Sequence, residues 1–158
     1  MSAPAVDARS VFLPDEAATL ALGNRLAQVI EPGLYVALSG NLGAGKTTLT
    51  RGILRGLGYQ GKVKSPTFTL VEPYNLSKLD LYHFDFYRLN DPQEWLDAGF
   101  RDYFEPRNVC LVEWPERAGD LLPAADLRIS LDAEGDGRRA QLGAGTEHGK
   151  HCLDRLQD

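Results

Sequence analysis

The sequence predicts an α/β domain built around a mostly parallel sheet, and three observations carry that reading. Residues 34–38 (LYVAL) and 109–112 (VCLV) are continuous apolar runs of strand length, the pattern of strands covered on both faces. The first run leads directly into a glycine loop and then into a stretch with helical apolar spacing. Residues 127–131 and 138–142 flank Glu134-Gly135-Asp136-Gly137, which reads as a hairpin. The chain has 158 residues, 43% of them apolar, which suits one domain with an ordinary core. We read residues 1–158 as a single domain, with mobile tails at 1–6 and from about 145 onward.

Taken in order, Val11-Phe12-Leu13 reads as a short strand. Pro14-Asp15-Glu16 then opens a helix, its acids suited to the positive end of the helix dipole. Leu20, Leu26, Val29 and Ile30 give that helix an apolar face, and Pro32-Gly33 ends it. After the 34–38 strand and the glycine loop, Leu49, Ile53, Leu54 and Leu57 mark a helix over 46–57, with Gly58 as its C-terminal cap. Residues 67–71 and 79–88 read as strands joined by a turn at Pro73-Tyr74-Asn75. Asp91-Pro92 starts a short helix around Glu94, Trp95 and Leu96. The tail from His148 reads as a weak helix or no regular structure, and His148, His151 and Cys152 fit no standard zinc spacing.

Charge is concentrated where the glycines are. The net charge is −5, yet residues 32–71 contain no acid and five bases: Lys46, Arg51, Arg55, Lys62 and Lys64. Seven of the sixteen glycines lie between Gly40 and Gly61. An acidic protein is a poor general coat for nucleic acid, but a basic, glycine-rich window suits one small anion. No apolar run approaches the ~20 residues of a membrane span. Met1 to Arg9 lacks the pattern of a secretory signal. Two cysteines, Cys110 and Cys152, do not make a disulfide scaffold, and a cytoplasmic location fits them best.

Gly40-Asn41-Leu42-Gly43-Ala44-Gly45-Lys46-Thr47 satisfies G-x-x-x-x-G-K-[ST], the phosphate-binding loop. Such a loop turns successive backbone N–H groups toward one anion, so glycine is needed for the dihedrals and the close approach. The following helix adds its first N–H groups and its dipole. Leu42, Gly43, Ala44, Gly45, Lys46, Thr47 and Thr48 are therefore the candidate nucleotide contacts. Lys46 is expected at the β- and γ-phosphates, and the Thr47 hydroxyl on Mg²⁺.

Hydrolysis needs more than a cradle: a metal held from a second side and a positioned water. Glu113 ends the apolar 109–112 run, where the carboxyl end of a buried strand faces the ligand, and is the second candidate metal ligand. In His83-Phe84-Asp85-Phe86-Tyr87-Arg88, a strand puts His83, Asp85 and Tyr87 on one face and Phe84 and Phe86 in the core. Asp85 either orients water, holds metal-bound water, or pairs with a cation such as Arg88. His83 reads as structural. Thr67, in Ser65-Pro66-Thr67, stands where nucleotide switches carry a threonine that senses the γ-phosphate or Mg²⁺.

With these residues in view, the chain resembles the TsaE (YjeE) family of bacterial ATPases, which act in making threonylcarbamoyladenosine in tRNA. The matching motifs are GNLGAGKTT (40–48), KSPTFTLVEPY (64–74), HFDFYRL (83–89), RDYF (101–104) and VEWP (112–115), in the family's order. The resemblance implies a P-loop NTPase-like three-layer domain with a mixed, mostly parallel central sheet and a C-terminal antiparallel hairpin. It implies ATP and Mg²⁺ as ligands, with the metal at Thr47 and Glu113. Asp85 and Thr67 match functionally important positions, and Trp114 a tryptophan beside the site. Glu16 and Arg138 match nucleotide contacts. The implied partners are the TsaD and TsaB proteins, with tRNA reached only through them and no membrane involved. Two alternatives stand beside this reading. A small-molecule kinase would need an Arg-rich lid, and none follows Asp85. A guanine-nucleotide switch would need N-K-x-D, which Asn75 to Asp80 does not supply.

Overall fold

The computed structural model describes residues 8–41, 43, 45–66 and 69–156. Among these residues, seven strands form one sheet: β1 (Arg9–Leu13), β2 (Tyr35–Ser39), β3 (Val71–Asn75), β4 (Asp80–Asp85), β5 (Asn108–Glu113), β6 (Leu127–Glu134) and β7 (Gly137–Ala144). Their order is β1-β7-β6-β2-β5-β4-β3. The four inner strands β6, β2, β5 and β4 run parallel, and the antiparallel pairs lie toward the edges. Four α-helices accompany them: α1 (Glu16–Ala27), α2 (Lys46–Gly56), α3 (Pro92–Asp97) and α4 (Glu147–Asp154).

The alternation of side chains along the inner strands divides the core into two layers. Val36, Leu38, Leu81, Val109, Leu111 and Ile129 pack beneath α1, α2 and α4. Tyr35, Ala37, Phe84, Cys110 and Val112 pack on the opposite face, against Trp95 of α3 and Phe100. This is why the apolar runs of β2 and β5 show no polar alternation: each face of the sheet has its own helical cover. Phe84 and Phe86 are both fully buried, as their spacing predicts.

Helices α1 and α2 approach through glycine. A Cβ on Gly52 would stand 2.5 Å from the Leu20 carbonyl oxygen, and one on Gly23 would stand 2.7 Å from the Ile53 nitrogen. The small residues therefore set how closely α1 supports the helix that follows the phosphate loop.

Several segments differ from the sequence reading. Pro73-Tyr74-Asn75 is strand and not turn; the chain reverses after it, at Ser77-Lys78, with the Leu76 N–H donating to the Leu79 carbonyl at 3.0 Å. Proline is tolerated here because β3 is an edge strand. Leu70 has φ 67°, which breaks the ladder, so the strand expected over 67–71 begins at Val71; Thr67 itself lies outside the described residues. The segment expected to be mobile from about 145 contains α4, capped by Thr146 and burying Cys152 and Leu153. Residues 1–6, the other expected tail, lie outside the described residues.

Candidate functional site

Strand β2 ends at Ser39, and the glycine loop carries the chain to α2. Gly45 is the N-cap of α2 at φ 99°, a left-handed conformation that a side chain would strain. Gly45 brings no capping side chain, and the first turn of the helix holds no acid. The N–H groups and positive dipole of this helix end thus have no competing anion from the helix itself. Lys46 lies just inside, 5% exposed, with its ammonium donating to the Gly40 carbonyl at 2.6 Å. The same ammonium stands 3.6 Å from Glu113 Oε1 and 4.5 Å above the Trp114 ring.

Glu113 ends β5 as expected, and the parallel register sets it beside Asp85 on β4. Both point to the α2 side of the sheet, together with His83 two residues earlier on β4. His83 is buried, and its Nε2 lies 2.6 Å from Glu113 Oε2. Burial pushes the Glu113 carboxyl up, but His83 and Lys46 outweigh that and hold it below the usual carboxylate range. Asp85 goes the other way. Burial raises it, with the Glu113 charge adding to the rise, against a 3.0 Å bond from the Tyr87 N–H. Two acids on adjacent strands are thereby made unlike: Glu113 fixed as an anion, Asp85 closer to proton exchange. That Asp85–Tyr87 bond also closes a turn, so β4 ends at Asp85 and Tyr87 leaves the strand face predicted for it. Its ring instead meets Trp114, centroids 5.1 Å apart. Trp114 itself has φ 57°, which turns the chain sharply at the end of β5.

A cavity of about 410 Å³ opens over these groups, at the carboxyl ends of β2, β4 and β5. It brings together Glu16, Gly43, Gly45, Lys46, Thr47, Thr48, Asp85, Glu113 and Arg138, drawn from α1, the loop, α2, two strands and the β6–β7 hairpin. Arg138 donates to the Gly43 carbonyl at 3.0 Å and to the Gly137 carbonyl at 2.9 Å, tying the hairpin to the loop. Trp114 is not among the described residues that line the cavity; its ring lies 4.5 Å from the Lys46 ammonium. Leu42, Ala44 and Thr67 lie outside the described residues, while Ser65, two residues before Thr67, is in the wall. His83, read from the sequence as structural, is buried and positions Glu113. Its spacing from Asp85 placed it on the right face, but its partner is 30 residues away.

The donor set fits a triphosphate with a hard divalent cation. An uncapped helix end and a buried lysine suit the phosphates. The Thr47 hydroxyl and the ionised Glu113 are oxygen ligands of the type Mg²⁺ takes.

Comparison with known proteins gives a consistent result. Residues 13–141 match the family model for the threonylcarbamoyl adenosine biosynthesis protein TsaE. The tRNA threonylcarbamoyladenosine biosynthesis protein TsaE of Haemophilus influenzae is 47% identical over 147 residues, covering 90% of this chain and 93% of its own. The protein of that name from Bacillus subtilis is 44% identical over 126 residues, covering 80% and 77%. The crystal structure of Bacillus subtilis YdiB superposes with a TM-score of 0.82 at 33% identity, over 94% of this chain and 93% of that one.

Proposed function

The chain belongs to the TsaE family, and from that premise we propose that it is a Mg²⁺-dependent ATPase serving threonylcarbamoyladenosine modification of tRNA through the TsaD–TsaB complex. The observation that supports this most is the convergence of Lys46, Glu113 and Asp85 on one cavity at the end of the phosphate loop. In this reading the loop N–H groups and Lys46 bind the β- and γ-phosphates, displacing the ammonium from the Gly40 carbonyl. Thr47 and Glu113 would hold Mg²⁺, which would supply positive charge to the phosphate oxygens. Asp85 orients a water for in-line attack on the γ-phosphorus and receives its proton, as the bond to the β–γ bridging oxygen breaks to leave ADP and phosphate. Thr67 senses the γ-phosphate, Glu16 and Arg138 fix the rest of the nucleotide, and Trp114 acts from behind Lys46, its ring 4.5 Å from the ammonium.

Hydrolysis is slow in the isolated chain, because Arg138, the arginine in the cavity wall, is engaged by the Gly43 and Gly137 carbonyls. TsaD and TsaB accelerate it, and tRNA is met only through them. The two cysteines are unpaired, which favours a reducing cytoplasm as the setting. No helix among the described residues is long and apolar enough to cross a membrane. Single-turnover ATP hydrolysis with and without TsaD and TsaB is the test: a clear stimulation is expected, and equal rates would remove the partner dependence.

A further inference from the structure

At the opposite end of the sheet from the phosphate loop, three side chains of different chemistry converge. Glu31, in the α1–β2 connection, points Oε1 at His148 Nε2 (3.0 Å) and at Cys152 Sγ (3.4 Å). All three donor atoms lie within 4.8 Å of one another. His148 and Cys152 are four residues apart on α4, so one helix face presents both. We propose that Glu31, His148 and Cys152 form a Zn²⁺-class metal site that fastens the C-terminal helix to the α1–β2 connection.

The geometry suits such an ion. Tetrahedral zinc with bonds of about 2.0–2.3 Å sets its donors about 3.3–3.7 Å apart, within the spread seen here. A thiolate, an imidazole and a carboxylate together favour Zn²⁺ over the hard cations Mg²⁺ and Ca²⁺. Three protein ligands leave a fourth position for water, and His148 and Glu31 are exposed enough to admit the ion. On binding, Cys152 loses its thiol proton to solvent and His148 coordinates as neutral imidazole. The ion thus takes the place of both groups' hydrogen bonds to Oε1.

The surroundings are already arranged for this. Arg155 holds the other carboxylate oxygen, Oε2, at 3.2 Å, leaving Oε1 directed at the cluster. Helix α4 is fixed at both ends. Thr146 donates to Asp126 Oδ1 at 2.6 Å and caps the Gly149 N–H, and Arg9 donates to the Leu156 carbonyl at 2.6 Å. The ligands therefore need side-chain adjustment only, and the site is independent of the nucleotide reading.

Cobalt titration of the purified, metal-free full chain tests it. Equimolar Co²⁺ is expected to give thiolate-to-cobalt charge-transfer absorption, which Zn²⁺ then abolishes by displacement. Cys152→Ser should lose the band. His148→Gln, a partly exposed position that does not endanger the fold, should weaken binding at least about tenfold. Absence of the band in the parent protein overturns the proposal. So does its survival in Cys152→Ser, which would assign it to Cys110, or an unchanged affinity in His148→Gln.

Discussion

Replacing Asp85 by asparagine should make the protein more stable. Asp85 and Glu113 are register partners on adjacent parallel strands, about 4.8 Å apart at the backbone. Two like charges at that separation repel by about 1–3 kcal/mol for effective dielectric constants between 80 and 20. Lys46 and His83 return part of this by attraction, and solvent screens the half-buried carboxylate, leaving about 0.5–1.5 kcal/mol. Asparagine removes the charge and keeps an oxygen for the Tyr87 N–H. For a chain of this length, that gain is a rise in Tm of about 1–6 °C. The pH dependence follows from the direction of the shift. Because folding raises the Asp85 pKa, the folded state holds that proton more tightly than the unfolded chain does. The cost of the native carboxylate is absent below the unfolded pKa and complete above the folded one. Urea unfolding of both proteins should therefore show little difference at about pH 3.5 and the full gain at about pH 7. An Asp85→Asn variant no more stable than the parent at neutral pH, or one whose advantage grows toward acid, would refute the reasoning.

Other perturbations test the neighbouring links. Gly52→Ala should lose about 1–2 kcal/mol in chemical denaturation, because steric conflict with the Leu20 carbonyl exceeds the helix propensity gained; a neutral result would mean that α1 and α2 separate freely. His83→Ala should cost about 2–3 kcal/mol, from a buried charge-assisted bond to Glu113. Lys46→Ala should abolish ATP binding in calorimetry, and retained affinity would place the phosphates elsewhere. Arg138→Ala should weaken ATP about tenfold, near 1.4 kcal/mol, while leaving Tm within a few degrees.

Local chemistry in this chain was readable where it depended on neighbours in sequence. The run LYVAL, the loop and the helix after it are one contiguous block, so β2 and α2 are legible from spacing. The place of Glu113 at the end of β5 is legible because an apolar run ends in it, and that of Phe84 and Phe86 because strand alternation sends them to the core. What escaped depended on distant partners. Pro73 reads as a turn unless β3 is known to be an edge strand. The bond from His83 to Glu113 follows from the parallel register of β4 with β5, which no local pattern encodes. Helix α4 is mostly polar with a glycine inside, so its order comes from burying Cys152 and Leu153 and from contacts with Glu31 and Asp126 far along the chain. His148 and Cys152 looked unrelated to any metal pattern because the third member, Glu31, lies 117 residues from His148.

In the proposed reaction Asp85 serves the attacking water while Lys46 and the loop hold the nucleotide. The most direct measurement is single-turnover hydrolysis of saturating Mg-ATP by the parent protein and by Asp85→Asn, each with TsaD and TsaB present and with ATP affinity measured in parallel. The prediction is unchanged affinity with turnover reduced about a hundredfold or more. Hydrolysis by the Asp85→Asn variant at the parental rate, or loss of ATP binding instead of turnover, would contradict it.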